Sequence, residues 1–209
     1  MGRFNVAKNQ IAQAVQANKP SMPGTFDKYF IAVDRDGVLC EIADVIKKAE
    51  DFTPIEDSIN AIAKIRSKGH KLAIIFDQPS INKNKLSMQD VDIVNQHMLN
   101  LFGNAGCTSI DGLWYNVSDK KDDPFAKPNT GMFKRALETD PRLEIKGGAY
   151  VGDSLEDLQM ADKAGATPIL VLTGNGKKTQ QKLENHAYKQ LKAKVKVFDN
   201  LMAFAESLD

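Results

Sequence analysis

Short apolar runs alternate with segments of helical periodicity along most of this 209-residue chain. Five runs have the length and the β-branched content of buried strands, at 29–33, 71–76, 112–117, 149–151 and 168–172, and 195–198 adds a short edge strand. Because helical patterns separate these runs, consecutive strands need right-handed crossovers. The expected fold class is therefore α/β, a Rossmann-like parallel sheet flanked by helices on both faces.

The segments between the strands carry recognisable helix ends. One helix is predicted to begin after Pro54 and to stop at Gly69. A second, at 87–102, begins with Ser87, and Asp90 stands three residues on in a capping-box arrangement. The same periodicity predicts further helices at 131–138, 179–192 and 200–208, and one that follows 152–157, runs to Ala164 and is closed by Gly165.

The composition is that of an ordinary globular domain. Hydrophobic residues make up 42% and charged residues 26% of the chain, and the net charge of +1 gives no electrostatic case for nucleic acid or anionic lipid. Residues 25–209 are expected to form a single domain, and a weak amphipathic pattern in 1–24 predicts an appended helix. Cys40 and Cys107 form no disulfide or metal spacing, and no apolar run has membrane-spanning length, so a cytoplasmic location is expected.

Charged residues gather at four places in this pattern. Each place lies at the end of a strand or just ahead of a helix: Asp34 with Asp36, Asp77 with Gln78, Lys127, and Asp153 with Asp157. The carboxyl ends of parallel strands meet at one edge of a sheet, where ligands bind, although the first stretch taken alone also fits a solvated loop. Converging carboxylates repel one another unless a cation offsets them, and oxygen-only ligands favour magnesium. A lysine beside such a site suggests the handling of a phosphoryl group.

The order D-x-D-G, K-P and G-D-S-x-x-D resembles the haloacid dehalogenase (HAD) phosphatase superfamily, over about residues 29–176. More narrowly, VDRDGVLC, KPNTGMF and YVGDSLEDLQMADKAGA are similar to the D-glycero-D-manno-heptose 1,7-bisphosphate phosphatases, close relatives of the histidinol-phosphatase domain. The resemblance implies a HAD fold with a minimal cap. It also implies a Mg²⁺-dependent phosphomonoester hydrolase that works through an aspartyl-phosphate intermediate. The substrate would be a small phosphorylated metabolite, first of all a sugar phosphate like heptose bisphosphate.

The resemblance further implies roles for individual residues. Asp34 would be the nucleophile and Asp36 the general acid/base. Asp153 would hold magnesium together with the Asp34 carboxylate and the Asp36 main-chain carbonyl. Asp157 would support that site, and Lys127 would neutralise the phosphoryl group. The remaining candidates lie beside these positions and would contact the substrate phosphate, together with Lys127: Arg35, Gly37, Asp77, Gln78 and Ser154.

The second motif departs from the family pattern. The family places a threonine or serine hydroxyl at the end of the second strand, where this chain has Phe76 followed by Asp77. Phe76 cannot donate a hydrogen bond, which is expected to cost about 2.7–4 kcal/mol of transition-state stabilisation, and Asp77 adds a negative charge beside the phosphate. Residues 116–126 contain neither Cys nor His, so no zinc loop is expected. Ala126 and Ser154 stand where the family often has basic residues.

These departures leave several functions open. The chain fits an enzyme with an altered substrate, a slow enzyme, or a catalytically weakened HAD-fold protein that binds a phosphate ligand or a protein partner. Histidinol phosphate and a nucleic-acid end are alternative substrates, the latter disfavoured by the near-zero net charge. The expected state is a monomer or a small homo-oligomer. The lysine-rich stretch 177–196 fits a partner surface or a solvated helix face.

Some side chains fit either a structural or a functional use. Cys40 is expected as a small buried filler, with a reactive thiol as the alternative. Trp114 is expected to pack in the core, with stacking on a ligand as the alternative. Met88 and Met98 are expected in the core, and His70 at the surface or in a turn.

Overall fold

The computed structural model describes residues 29–184 and 191–209, which form six β-strands and six α-helices. The strands are β1 (Phe30–Val33), β2 (Lys71–Asp77), β3 (Gly112–Asn116), β4 (Ala149–Gly152), β5 (Thr167–Val171) and β6 (Lys196–Phe198). The helices are α1 (Ser58–Ser67), α2 (Met88–Asn104), α3 (Gly131–Thr139), α4 (Leu155–Ala164), α5 (Gly176–Glu184) and α6 (Leu201–Ser207). A short 3₁₀ helix (Ala49–Asp51) lies in the connection after β1. Each predicted strand is confirmed to within one residue at either end.

The six strands form one parallel sheet in the order β3-β2-β1-β4-β5-β6. β1 lies at the centre, and Val33 pairs with Ile74 of β2 on one side and with Val151 of β4 on the other. The carboxyl ends of these three strands therefore meet at the same edge. The predicted α/β fold class, with a parallel sheet and helices on both faces, is confirmed.

Successive side chains of each strand point to opposite faces, and each face has its own apolar core. On β1, Ile31 and Val33 pack on one face, among residues of α1, α2 and α6. Phe30 and Ala32 pack on the other face, among residues of α3 and α4. Both faces of the central strands are thus covered, which explains why their sequences are apolar throughout rather than alternating.

The predicted helix ends are confirmed at α2 and α4. The Ser87 side chain accepts a hydrogen bond from the Asp90 N–H at 3.1 Å, and the Asp90 carboxylate accepts one from the Ser87 N–H at 2.8 Å. A second capping box joins Ser154 and Asp157 at the start of α4, and Gly165 ends that helix in the left-handed conformation. These ends fix the start of α4, on which the site described below depends.

Two expectations about single side chains are wrong. Met88 is 41% exposed, because it is the first residue of α2 and lies at the rim, whereas Met98 is buried as predicted. His70 is buried, not exposed, and its ring stacks on Tyr29 at a centroid distance of 5.8 Å. Trp114 packs against the core on the α3 side, as expected.

Other predictions are tested only in part. The helix predicted in 1–24 lies outside the described residues. The lysine-rich helix predicted at 179–192 begins earlier and is described as far as Glu184, and Lys192 is not helical because its N–H donates to Asp162 at 3.0 Å. Among the described helices, none is both long and apolar enough to cross a membrane.

Candidate active site

The loop after β1 places the first two aspartates at the edge of the sheet. The Asp34 N–H donates to the Val151 carbonyl at 2.9 Å, which extends the pairing of β1 with β4 by one residue. Gly37 then turns the chain with a φ of +83°, and its N–H donates to the Cys40 carbonyl at 2.8 Å. Cys40 is fully buried below this turn, as expected for a filler. Burial raises the pKa of its thiol.

Three buried carboxylates converge at this edge. Oxygen atoms of Asp34, Asp153 and Asp157 lie within 4.8 Å of one another, and all three residues are at most 5% exposed. The sequence predicts this cluster because the residues follow the adjacent strands β1 and β4. A set of oxygen ligands with this much charge suits a hard divalent cation. The Asp36 carboxylate lies outside this cluster and pairs with Arg35, and the predicted contact of the Asp36 main-chain carbonyl with the metal stays a prediction.

Lys127 supplies a positive charge to the cluster. Its Nζ lies 2.9 Å from Asp34 Oδ1 and 2.7 Å from Asp157 Oδ1, and the peptide bond that follows it is cis. Burial alone would lower the pKa of Lys127, but the carboxylates of Asp157 and Asp34 outweigh it and hold the pKa well above its usual value. The lysine is therefore charged, and it forms ion pairs with both Asp34, the candidate nucleophile, and Asp157.

Burial makes the acids of the cluster weaker. It raises the pKa of Asp34 well above its usual value, and the neighbouring carboxylates add to the rise while Lys127 opposes it. Burial and the charge of Asp157 raise the pKa of Asp153 to about 6, against an opposing hydrogen bond from the Asn175 N–H. Without a cation, burial and mutual repulsion thus disfavour the ionised forms of these carboxylates.

Asp157 braces the site from behind. Its Oδ2 accepts hydrogen bonds from the Asp153 N–H at 3.2 Å, the Ser154 N–H at 3.0 Å and the Ser154 hydroxyl at 2.6 Å, while Oδ1 accepts from Lys127. Both oxygens are thus occupied by neighbours, which agrees with the supporting role predicted for this residue. The Ser154 hydroxyl caps α4, and its predicted contact with phosphate stays a prediction.

Asp36 is held by its neighbour Arg35. The guanidinium donates from Nε and Nη2 to the two carboxylate oxygens of Asp36, both at 3.0 Å, and from Nη2 to the side-chain oxygen of Gln78. Its Cζ lies 4.0 Å from the ring centroid of Phe76. The Asp36 side chain remains 34% exposed, open to a substrate, whereas Arg35 is buried beneath it. Phosphate contacts of Arg35 and Gln78 stay predictions.

The second motif is arranged differently from what the sequence suggests. The ring of Phe76 is buried, and it stacks on Tyr115 at 5.4 Å as well as on Arg35. Asp77 has a partner at each oxygen, because one oxygen accepts a hydrogen bond from Asn116 and the other from the Lys127 N–H. Burial nevertheless raises the pKa of Asp77, while Lys127 and Asn116 oppose that rise.

Residues after β5 complete the site, and the sequence analysis assigned them no role. The Asn175 N–H donates to Asp153 Oδ2 at 2.7 Å, and the Thr179 hydroxyl donates to the Asp153 carbonyl at 2.8 Å. The Thr173 hydroxyl donates to the Gly37 carbonyl at 2.6 Å. The polar run that directly follows β5 was the available signal, since it lies at the same edge of the sheet as the aspartates.

Gly37 lies so close to Asp153 that it offers a test of the cluster. A Cβ added to Gly37 would overlap the Asp153 carboxylate, whereas one added to Gly69, with a φ of +85°, would meet nothing within 4 Å. Both alanine variants should lose about 1–2 kcal/mol of stability from backbone strain. We expect only Gly37→Ala to weaken Mg²⁺ binding and to lower phosphate release, by about tenfold or more. Equal effects of the two substitutions on Mg²⁺ titration would contradict this.

The raised pKa of Asp153 predicts how the stability of the metal-free protein depends on pH. Folded Asp153 keeps its proton up to about pH 6, whereas an ordinary aspartate loses it near 3.8. Between these values the folded state binds more protons, so the free energy of unfolding falls as pH rises, by up to about 3 kcal/mol. Urea unfolding in EDTA at pH 4 to 7 measures this slope, which Asp153→Asn should flatten. An unchanged slope in that variant contradicts the prediction.

Known proteins are similar to this chain in sequence. Residues 124–201 match the HAD-hydrolase-like family model. The D-glycero-beta-D-manno-heptose-1,7-bisphosphate 7-phosphatase of Neisseria meningitidis serogroup A is 33% identical over 180 residues, which cover 84% of this chain and 92% of the relative. The phosphatase of the same name from Pseudomonas putida is 28% identical over 179 residues, with 85% and 98% covered.

A solved structure shows the same architecture. The D,D-heptose 1,7-bisphosphate phosphatase of B. bronchiseptica, in complex with magnesium and phosphate, superimposes with a TM-score of 0.77. The two sequences are 26% identical, and the match covers 86% of this chain and 97% of the other. The identity of 33% over most of both sequences in the first comparison decides the family. The chain belongs to the HAD superfamily of phosphatases, in the family of the D-glycero-D-manno-heptose 1,7-bisphosphate phosphatases.

Proposed function

We propose that this phosphatase is a Mg²⁺-dependent enzyme that hydrolyses a small sugar phosphate through a phosphoryl group carried on Asp34. The observation that carries the proposal is the buried ion pair between Lys127 Nζ and Asp34 Oδ1 at 2.9 Å, inside a cluster of three carboxylates. A carboxylate attacks phosphorus only if the negative charges of both groups are offset. The lysine and a bound cation would provide that offset.

The donor set fits magnesium. The carboxylates of Asp34 and Asp153 would hold the ion with the main-chain carbonyl of Asp36, and Asp157 would orient Asp153 and Lys127 from behind. When bound, the ion would neutralise charge on the phosphoryl oxygens and on the nucleophile. All of these ligands are oxygen atoms, and residues 116–126 contain neither Cys nor His, so zinc is not expected.

The residues support a two-step reaction. An Asp34 oxygen would form a bond to phosphorus while the bond from phosphorus to the ester oxygen breaks, and Asp36 would give its proton to the leaving alkoxide. Asp36 would then take a proton from a water molecule that attacks the same phosphorus, which releases inorganic phosphate and frees Asp34. Arg35 would orient Asp36 for both transfers through its two hydrogen bonds to that carboxylate.

The contacts of the altered second motif favour an active enzyme over an inactive binding protein. Phe76 removes a hydroxyl donor, but it packs against Arg35, which holds the acid/base candidate. The charge of Asp77 is partly offset, because both of its oxygens accept hydrogen bonds and the charge of Lys127 opposes the rise in its pKa. The residues proposed as nucleophile, acid/base, phosphate-neutralising lysine and metal ligands are all present in the chain, which supports an active enzyme. The second candidate is a catalytically weakened protein that binds a phosphate ligand. The observation that favours it is Phe76, which stands where the family has a hydroxyl donor.

Phosphate release from a panel of substrates tests the proposal. We expect turnover that requires Mg²⁺ and stops in EDTA, with the highest kcat/KM on D-glycero-D-manno-heptose 1,7-bisphosphate and lower values on histidinol phosphate and an aryl phosphate. A phosphorylated oligonucleotide should not be hydrolysed, given the net charge of +1. Folded protein that binds Mg²⁺ but releases no phosphate from any of these compounds would refute the proposal and favour the second candidate.

The expected cytoplasmic location stays a prediction.

A further inference from the structure

Asp77 connects two segments that are far apart in the sequence. Its Oδ1 accepts a hydrogen bond from Asn116 Nδ2 at 3.0 Å, and its Oδ2 accepts one from the Lys127 N–H at 3.1 Å. Asp77 ends β2, and Asn116 lies directly opposite it at the end of β3. The carboxylate thus ties the backbone of Lys127 to the ends of two sheet strands.

Asn116 is itself fixed in orientation. Its Oδ1 accepts from the Ser118 N–H at 3.0 Å, and its Nδ2 donates to the Ser118 carbonyl at 3.2 Å as well as to Asp77. The amide nitrogen of Asn116 therefore faces Asp77, and Asn116 is 6% exposed. Asp77 consequently stands between two donors, one from Asn116 and one from the Lys127 backbone.

We propose that Asp77 is a positioning residue for Lys127, and that its carboxylate, rather than an amide, is required for this task. An aspartate offers an acceptor to each of the two donors, whereas an asparagine offers one acceptor and turns its NH₂ group towards the other donor. Holding the Lys127 backbone in place also holds its Nζ between Asp34 and Asp157. The inference rests on the proposed role of Lys127 in catalysis.

The substitution Asp77→Asn tests the proposal with little change in shape. We expect kcat to fall about ten- to a hundredfold, because a small displacement of a catalytic group has effects of this size, while KM stays within twofold. The double variant Asp77→Asn with Asn116→Asp should recover part of the lost kcat, since an aspartate at position 116 cannot donate to the Ser118 carbonyl. In that variant the new asparagine accepts from the Lys127 N–H and donates to the new aspartate, with the net charge unchanged.

Asp123→Asn is the matched control. Asp123 lies in the loop between β3 and α3 that also contains Lys127. Its carboxylate accepts a hydrogen bond from the Phe125 N–H at 2.8 Å, and an asparagine oxygen can accept the same bond. We expect kcat of this variant to stay within twofold of the natural chain. An equal loss in both variants would mean that replacing any aspartate near Lys127 lowers kcat, and would overturn the specific role of Asp77.

Hydrogen exchange at the Lys127 amide supplies a readout that does not depend on turnover. We expect this amide to be protected in the natural chain and to exchange faster in Asp77→Asn. Rapid exchange in the natural chain overturns the inference without any variant, as does a loss of kcat with unchanged protection. If the natural chain releases no phosphate while the amide responds as expected, the contact stands and the proposed function fails.

Discussion

Asp34→Asn is expected to abolish Mg²⁺-dependent phosphate release, with a loss on the order of 10⁴-fold or more, as for other enzymes that lose their nucleophile. The amide nitrogen and oxygen of asparagine are too weakly nucleophilic to take a phosphoryl group, although the side chain has the same shape. Steady-state phosphate release from an aryl phosphate measures the loss. Residual activity within a hundredfold of the natural chain would contradict the role of Asp34.

The same variant should become more stable in the absence of metal. Burial raises the pKa of Asp34 well above its usual value, so its ionised form destabilises the folded state at neutral pH, and the uncharged amide removes that destabilisation. We expect the Tm in EDTA to rise by a few degrees, on the general scale of about 2–4 °C per kcal/mol. A lower Tm would contradict this prediction, and a circular dichroism spectrum at the assay temperature checks that the variant is folded.

Lys127→Met is the second change with a large expected effect. The ammonium group lies within 3 Å of both Asp34 and Asp157, and its removal leaves buried carboxylates without a partner. Breaking a buried ion pair from one side typically destabilises a protein by about 3–5 kcal/mol. We also expect kcat to fall by about 10²- to 10³-fold, because one charge that stabilises the transition state is lost.

Lys163→Met is the matched control for this prediction. Lys163 is exposed, and its Nζ donates to the Pro128 carbonyl at 3.2 Å, one residue after Lys127. We expect its removal to change kcat less than twofold and the stability by well under 1 kcal/mol, as is usual for surface positions. Mg²⁺ should restore part of the stability of Lys127→Met, since it also offsets the carboxylates. Equal effects of the two substitutions would exclude a special role for Lys127.

The fold and the acidic cluster were predictable from local features of the sequence. The strands are apolar runs of ordinary length, Asp34 and Asp153 follow two of them directly, and Asp157 lies in the first turn of the helix after the second. Since β1 and β4 are neighbours in the sheet, their carboxyl ends bring these residues together. The rule that ligands bind at the carboxyl ends of parallel strands could also have identified Asn175, which lies in the segment after β5.

The geometry of the second motif was not predictable in this way. The partners of Asp77 are 39 and 50 residues away, and one of them is a backbone N–H that carries no side-chain signal in the sequence. The sequence shows an added negative charge, whereas the folded chain supplies two donors to it. The burial of His70 was not predicted either, since a single histidine just after a turn carries no signal for it.

The most direct measurement is to trap the phosphoryl group on the protein during turnover. Acid quenching followed by borohydride reduction converts a phosphorylated aspartate to homoserine, which survives digestion with trypsin. Cleavage after Lys28 and Arg35 places Asp34 in the peptide 29–35 and Asp36 in the next one, 36–47. We predict homoserine in the first peptide only, and only with both Mg²⁺ and substrate present. Turnover without homoserine at position 34, or with homoserine at position 36, would contradict the account.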